Sequence, residues 1–281
     1  MLLFLLVSFP QPTLVHVQLP DKAQVESLCG VPLPQGVALA IRSNDGLRAL
    51  VYDGAKVWRE VGHSANARRL LGVYRWPKES WRSELEVAEW SKDVSTWWSG
   101  PDSPSTSSGT DLTRFGSHQN RRLAVLGNKF LALYEGEDVR VKPLVFPKSM
   151  HWGGLAIDFM MSNVVLTWKD ELPRREKCGL RFESIDLRSM QSSFSQLDID
   201  DVELDGAPAF KMGGKLVLVT KTSEGSLIVR IQNVDGWSKL TMPYGGDTPT
   251  EACADSAGRC YIRDMSGNLY KLSGLNKYGL R

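Results

Sequence analysis

The sequence predicts an all-β fold in which short antiparallel strands recur along the chain. The 281 residues include 25 glycines and nine tryptophans, a composition typical of turn-rich proteins packed around aromatic side chains. Short β-branched runs alternate with Gly-Gly, Glu-Gly and Asp-Gly pairs, which supply the positive φ angles that tight hairpins need. No stretch approaches the ~20 apolar residues of a membrane-spanning helix.

The charge balance excludes a strongly charged molecule. Thirty-four Lys and Arg against 32 Asp and Glu leave a net charge of +2, so no overall field indicates nucleic acid or an anionic membrane as a partner. The chain contains no N-x-[ST] sequon, and no basic residue precedes its first apolar run. We therefore expect a soluble protein and favour an intracellular or organellar location over secretion.

The N-terminal end is apolar from Met1 to Val7, and Pro10 follows closely. Seven helical residues span only about 10 Å, whereas a bilayer core is about 30 Å thick. We interpret residues 1–12 as an N-terminal arm, and the remnant of a signal peptide is the alternative. Residues 13–19 then alternate in polarity, which predicts a strand.

The clearest repeating unit spans residues 208–243. Gly213-Gly214 separates its first two strands, Glu224-Gly225 precedes the third, and Asp235-Gly236 precedes the fourth. Four antiparallel strands joined by three short turns form one sheet.

Weaker copies of this unit flank it on both sides. They cover residues 37–58, 122–142, 154–197 and 252–272, with first-hairpin turns near residues 45, 127, 162 and 257. A period of roughly 40–50 residues with four strands in each copy is typical of a β-propeller. We predict a single domain over residues 1–281, with about six blades at this period.

The pattern fails between residues 78 and 120. We interpret this region as a degenerate blade, and an excursion from a five-bladed ring is the alternative. Residues 99–120 are rich in Ser and Pro and are predicted to form an insertion loop.

The last copy ends near Leu272 with three strands and lacks a fourth. We predict that residues 13–19 pair with it as the outer strand of the C-terminal blade. This pairing would close the ring and remove an open sheet edge.

Two copies resemble known propeller families. Residues 208–243 resemble a kelch repeat through M-G-G-K-L-V-L-V followed by W-S-K-L-T-M-P, and residues 252–272 are similar to NHL-type blades through D-S-A-G-R-C-Y-I-R-D. The other copies lack the Gly-Gly pair, so the subfamily stays open. Both resemblances imply protein–protein binding on the faces of the ring.

Two features predict partner contacts. Trp97 and Trp98 are adjacent, and successive side chains of a strand face opposite ways, so one indole is available as an interface anchor. The alternative is that both pack under the insertion. Arg174 and Arg175 lie in a basic loop, which is either a contact site or an ordinary solvated surface.

Cys253 and Cys260 flank a predicted four-residue turn over residues 255–258. Opposite strand positions have Cβ atoms about 4.5–5.5 Å apart, near the reach of a disulfide. Two reduced cysteines packed as small apolar residues are the alternative.

No catalytic motif appears: G-x-S-x-G, H-E-x-x-H and a Walker loop are all absent from the sequence. We expect no catalytic residue, metal or cofactor. The acidic run over residues 198–205 is interpreted as a solvated connector, and a patch for a basic partner or a cation site are the alternatives.

These observations predict a non-catalytic propeller that binds a partner protein, as a scaffold or an accessory subunit of a larger complex. The alternative is a propeller enzyme or lectin, of the lactonase, lyase or glycosidase type, that uses the central channel. That alternative requires three carboxylates to converge at one mouth, from the set Asp45, Asp158, Asp255 and Asp264.

Overall fold

The computed structural model describes fourteen segments of the chain: residues 11–28, 36–52, 58–65, 67–76, 80–87, 112–118, 121–126, 130–135, 138–145, 150–157, 163–170, 177–200, 208–255 and 257–278. Strands make up nearly all of their regular structure, with short 3₁₀ segments at Pro20–Lys22 and Leu275–Tyr278. In these segments there is no helix with the length and apolar character needed to span a membrane.

The strands form antiparallel sheets, which we number along the chain. β1 (Thr13–Val17) belongs to the last of them. Sheet 1 contains β2 (Val25–Leu28), β3 (Val37–Ser43), β4 (Gly46–Tyr52) and β5 (Trp58–Ser64). Sheet 2 contains β6 (Ala67–Trp76) and β7 (Ser80–Val87). Sheet 3 contains β8 (Leu112–His118), β9 (Arg121–Leu126), β10 (Phe130–Glu135) and β11 (Asp138–Pro143).

The later sheets have the same simple meander. Sheet 4 contains β12 (Met150–Ile157), β13 (Asn163–Asp170), β14 (Lys177–Asp186) and β15 (Ser192–Asp200). Sheet 5 contains β16 (Ala209–Met212), β17 (Lys215–Lys221), β18 (Ser226–Asn233) and β19 (Gly236–Pro243). Sheet 6 contains β20 (Pro249–Ala254), β21 (Cys260–Asp264) and β22 (Leu269–Ser273), and β1 completes it.

The turn between β16 and β17 illustrates why these residues form hairpins. Met212 lies opposite Lys215, so only Gly213 and Gly214 remain to reverse the chain. Their φ angles are 56° and 75°. Two successive positive φ angles characterise the type I′ turn, whose twist matches that of the flanking strands.

Sheet 6 confirms the predicted closure. β1 pairs antiparallel with β22, from Thr13 opposite Ser273 to Val17 opposite Leu269. The N-terminal strand is therefore the outermost strand of the C-terminal sheet. The pairing occupies the edge of β22 that would otherwise be open.

The sheets pack side by side around a ring, as a β-propeller. The first strands of the sheets contact one another: β2 contacts β6 and β20, β6 contacts β8, and β16 contacts β12 and β20. The fourth strands consequently lie at the rim. Neighbouring sheets bury apolar side chains in shared clusters: Leu133 of sheet 3 lies in one cluster with Trp168 of sheet 4, and Val25 of sheet 1 lies in another with Tyr261 of sheet 6.

Two first strands were missing from the prediction. β2 and β8 precede the strands assigned to their copies, so the turns near residues 45 and 127 join the second and third strands of their sheets. In each strand the large apolar residues are three positions apart, Val25 and Leu28 in β2 and Leu112 and Phe115 in β8, which removes the alternating signal. β8 also lies within residues 99–120, so the predicted insertion loop is wrong over residues 112–118, which pair with β9.

Candidate interaction surface at sheet 4

The residues predicted to contact a partner lie outside the described segments. Trp97, Trp98, Arg174 and Arg175 are all in this group. Arg174 and Arg175 belong to the connection between β13 and β14, and the described neighbours of that connection fix where it enters and leaves sheet 4. Their contact role stays a prediction.

The register of β14 and β15 brings two charged segments to one end of sheet 4. Lys177 opens β14 and lies opposite Asp200, which closes β15. The connection over residues 171–176, which contains Arg174 and Arg175 together with Glu171 and Glu176, is therefore continuous with the sheet at the same end as the acidic segment over residues 201–205. The sequence presents these as separate features, and the pairing makes them neighbours.

An exposed aromatic side chain lies on the outermost strand of the same sheet. Phe194 of β15 has 54% of its surface exposed. The Arg181 guanidinium of β14 lies over its ring, 4.4 Å from the centroid. This contact is a cation–π interaction, which holds the arginine against the sheet surface.

Strand parity explains why Phe194 is exposed. Leu197 and Ile199 point towards sheet 5 and pack in the cluster between the two sheets. Phe194 has the opposite parity and shares its face with Gln196 and Asp198, which are exposed. The alternation of polarity in S-S-F-S-Q-L-D-I-D therefore indicates that Phe194 faces away from the core. The sequence analysis missed this, because Phe is ordinarily assigned to a core.

Sheet 3 borders this face at the hairpin end of β14 and β15. Arg140 of β11 donates a hydrogen bond of 2.7 Å from Nη1 to the backbone carbonyl of Arg188. Its other terminal nitrogen forms an ion pair with Glu135. The hairpin end of the face therefore carries both signs of charge, with Arg140 and Arg188 beside Glu135 and the exposed Asp186. Arg181 lies at mid-strand, opposite Gln196, and Asp198 lies towards the opposite end.

A buried carboxylate on this face is occupied within its own hairpin. Glu183 is 3% exposed. Its Oε1 accepts a hydrogen bond of 2.5 Å from the Ser192 hydroxyl. Glu183 thus helps to connect β14 to β15 and is turned towards Ser192.

The buried carboxylates of sheet 6 serve hairpin turns. Asp255 closes the turn between β20 and β21, where its Oδ1 accepts 3.0 Å hydrogen bonds from the backbone N–H groups of Ala257 and Arg259. Its Oδ2 accepts from Arg259 Nε at 2.7 Å and from the Gly36 N–H at 2.9 Å. Because Gly36 precedes β3, the carboxylate also joins sheet 6 to sheet 1.

Asp264 repeats the arrangement at the next turn. Its Oδ1 accepts from the Asn268 N–H at 2.8 Å, and its Oδ2 accepts from Asn268 Nδ2 at 2.9 Å and from the Asp247 N–H at 3.0 Å. Asp264 is fully buried. Both D-x-x-G-x segments are therefore structural units in which a carboxylate satisfies backbone donors that a turn leaves unpaired.

The positions of these carboxylates test the alternative function, an enzyme or lectin that uses the central channel and requires converging carboxylates. Asp255 and Asp264 lie at opposite ends of β21, about 16 Å apart at 3.3 Å per residue. Asp45 is exposed in the turn before β4, and Asp158 lies outside the described segments. Asp255 and Asp264 therefore do not converge at one mouth.

The predicted pairing of Cys253 with Cys260 is wrong by one residue. Cys253 lies opposite Tyr261, and Cys260 lies opposite Ala254. The two thiols consequently point to opposite faces of sheet 6, Cys253 towards sheet 1 and Cys260 towards sheet 5. Both are buried as thiols, as the alternative interpretation expected.

The titration behaviour of sheet 6 fits a structural role. Burial, together with the nearby Asp255 carboxylate, raises the pKa of the Cys260 thiol. Burial and Asp264 likewise raise the pKa of the Tyr244 hydroxyl. Both groups are protonated at neutral pH, and a protonated thiol is a poor nucleophile.

Exposed turn carboxylates show the opposite shift. The backbone N–H and hydroxyl of Ser189 lower the pKa of Asp186, and the Thr248 N–H and the Ser266 hydroxyl lower that of Asp247. These carboxylates are ionised at neutral pH. In the described segments, no three His, Cys, Asp or Glu residues come together as a metal site.

Comparisons with known proteins find similarity at the level of the fold. No family model matches the chain, and no curated protein matches it. Among solved structures, it is similar to the WD40 β-propeller domain of Doa1, at 10% identity over 92% of this chain and 95% of that one, with a TM-score of 0.47.

A second similar structure is YCF48 from Cyanidioschyzon merolae. The identity is 12%, the coverage is 94% of this chain and 99% of that chain, and the TM-score is 0.46. Neither identity carries an inference about function. The kelch-like and NHL-like resemblances and the number of blades stay predictions.

Proposed function

We propose that the protein is a non-catalytic β-propeller that binds a partner protein, as a scaffold or an accessory subunit of a larger complex. The proposed contact surface is the end of sheet 4 at Lys177 and Asp200, from which residues 171–176 and 201–205 continue along the chain. Trp97 and Trp98 are proposed as an additional aromatic anchor.

One observation supports this proposal: Lys177 lies opposite Asp200, so Arg174 and Arg175 precede, and the acidic residues of 201–205 follow, the same end of one sheet along the chain. A surface with both charge signs discriminates between partners, because mismatched charges are repelled. Arginine and tryptophan are also the residue types that most often dominate binding energy at interfaces.

The hairpin carboxylates add a second line of support. Asp255 and Asp264 are already saturated by backbone and side-chain donors. Protonating or moving either one for chemistry would leave buried N–H groups without acceptors, which costs about 1–3 kcal/mol for each group. Both residues are better suited to holding a scaffold than to catalysis.

The test is affinity purification of the tagged full chain from its native source, followed by identification of the proteins that accompany it. We expect a partner with the wild type, and its loss with the double variant R174E/R175E. The matched control R59E/K239E reverses two exposed cations on other sheets and is expected to retain the partner.

A third variant, W97A/W98A, measures the aromatic anchor and is expected to weaken recovery of the same partner. Wild-type protein recovered without any second protein contradicts the proposed function. Loss of the partner with R59E/K239E as well would assign the effect to net charge rather than to this surface.

A further inference from the structure

We propose that two copies of this chain associate through the outer edges of their β15 strands, antiparallel across a two-fold axis. The inference goes beyond the proposed function, because its partner is a second copy and its surface is the rim of sheet 4. Three observations carry it: an unprotected edge, an exposed aromatic beside that edge, and charges that complement themselves under two-fold symmetry.

Among the described residues, the β15 edge lacks the features that block strand addition at the rims of the other four-stranded sheets. β19 carries Lys239 and Pro243, and β11 carries Lys142 and Pro143. β5 pairs with β4 through a register shift between Ala49 and Leu50, and β1 has only five residues. Lysine, proline, bulges and short length are the usual protections of an edge strand.

β15 has none of these four protections, although charged side chains of either sign also discourage strand addition and β15 carries Asp198 and Asp200. It contains nine residues without Lys, Arg or Pro. Its pairing with β14 is continuous from Ser192 opposite Ile185 to Asp200 opposite Lys177, without a register shift. Every second residue of such a strand directs its backbone N–H and C=O away from its neighbour, so the edge is a template for another strand.

The side chains on the exposed face differ in charge between the two halves of the strand. Phe194 lies in the first half with Arg181 above its ring, and Asp198 is exposed in the second half. A two-fold axis reverses one strand against the other, so the first half of one copy meets the second half of its mate. An isologous interface is complementary in this way when residue i contacts j and j contacts i.

A register in which Gln196 of one copy lies opposite Gln196 of the other lets each half of the strand meet a half of complementary charge. It places Phe194 opposite Asp198 of the second copy, and opposite positions in a sheet have Cβ atoms about 4.5–5.5 Å apart. The Arg181 guanidinium already lies over Phe194, so it reaches that carboxylate without leaving the ring. The same contact forms twice in the dimer, once on each side of the axis.

The environment of Arg181 favours this contact over competing ones. Glu183 is the carboxylate nearest along β14 on the same face, and it is turned towards the Ser192 hydroxyl. Arg140 is held by Glu135 and by the Arg188 carbonyl, so it does not compete for the same carboxylate. An approaching Asp198 from a second copy therefore meets the positive charge of Arg181 above Phe194.

The experiment measures the mass of the purified full-length protein by sedimentation equilibrium between about 1 and 200 μM, a range that resolves micromolar association. The mass is expected to rise from 31.3 kDa towards twice that value. R181E and D198K are each expected to weaken association at least about tenfold, because each creates two like-charge contacts in the homodimer.

An equimolar mixture of R181E and D198K is the decisive sample. In the mixed dimer, the glutamate introduced in one copy faces the lysine introduced in the other at one contact, and Arg181 faces Asp198 at the second contact. Association of the mixture is expected to return to within about threefold of the wild type. The controls R59E and D235K change exposed charges on sheets 1 and 5 and are expected to leave the mass unchanged.

An independent variant, Q196K, places two lysines near the axis and is expected to abolish association. Circular dichroism of every variant separates lost association from lost folding. A wild type that keeps the monomer mass at the highest concentration overturns the proposal, and so does a mixture that fails to recover. Either result leaves the partner-binding function untouched, since that function is tested by protein recovery from extracts.

Discussion

At the scale of single residues, the D-x-x-G-x segments of sheet 6 link sequence to structure most directly. In both of them the aspartate accepts the backbone N–H four residues later, through Arg259 and Asn268. The glycine in each has a positive φ, 75° at Gly258 and 78° at Gly267. The side chain and the glycine therefore specify one turn together.

Gly267 has a further constraint, since it lies against the strand that opens sheet 1. A Cβ atom at this position would approach the Gln24 Cβ to 2.8 Å and the Val25 carbonyl oxygen to 3.1 Å. Its carbonyl oxygen accepts a 2.8 Å hydrogen bond from the Val25 N–H. Gly267 consequently supports both the hairpin and the contact between sheets 6 and 1.

We expect Gly267→Ala to lower the free energy of unfolding by about 2–4 kcal/mol, because it adds a close contact to the cost of a positive φ. Gly214→Ala is the matched control: its φ is 75°, but nothing lies within 4 Å of an added Cβ. The control is expected to lose only about 1–2 kcal/mol. Urea unfolding of both variants measures the difference, and equal losses contradict the role of the contact.

At the scale of elements, β1 shows how five residues complete a sheet. Only Val17 of this strand is fully buried, and Val15 is 51% exposed. Its contribution is therefore mainly the backbone pairing with β22 and the covering of that edge. The alternation over residues 13–19 predicted the strand, and the incomplete last copy predicted its partner.

We expect deletion of residues 1–18 to lower the melting temperature by about 5–10 °C, as expected for a loss of a few kcal/mol in a chain of this size. It should also promote aggregation through the exposed edge of β22. Deletion of residues 1–10 alone is the control. A synthetic peptide of residues 11–19, added in excess, should restore stability to the longer deletion. Identical melting curves for the two deletions would contradict this role of β1.

β15 shows the limits of a pattern read one residue at a time. The predicted copy ended at residue 197, and residues 198–205 were interpreted as a connector, but β15 extends to Asp200. Its alternation directs Leu197 and Ile199 between sheets 4 and 5. The same alternation exposes Phe194, which is recognisable as a rim residue only once the strand is known to be the last of its sheet. Position in the sheet, rather than hydrophobicity, decides the environment of this side chain.

At the scale of the whole molecule, the last sheet is connected to the first through polar contacts as well as apolar packing. The Gly36 N–H donates to Asp255 at 2.9 Å, and the Leu28 N–H donates to Glu251 at 2.6 Å. Arg263 Nε donates to the Val25 carbonyl at 2.8 Å. These contacts join residues more than two hundred positions apart, and together with the pairing of β1 they close the ring.

We expect Asp255→Ala to destabilise the protein by about 3 kcal/mol, because it leaves the buried N–H groups and Arg259 without their acceptor. Asp45→Ala is the control: its side chain is 68% exposed, and its loss is expected to leave the free energy of unfolding nearly unchanged. Chemical denaturation at neutral pH compares the two. A loss at Asp255 no larger than at Asp45 would remove the carboxylate from the account of ring closure.

The sequence by itself determined the features that depend on neighbouring residues. Alternating polarity predicted the strands of sheets 4, 5 and 6, glycine-containing turns predicted the hairpins of sheets 5 and 6, and the missing last strand predicted the closure by β1. These signals are local, because side chains alternate with period two and few residue types adopt a positive φ.

Only the tertiary structure decided the features that depend on which strands face one another. It showed that β2 and β8 begin their sheets, that Cys253 and Cys260 point to opposite faces, and that Asp255 bonds to Gly36. It also brought Arg181 over Phe194 at the rim. A shift of one residue in register reverses every side chain of a strand, and no local pattern specifies the register between distant segments.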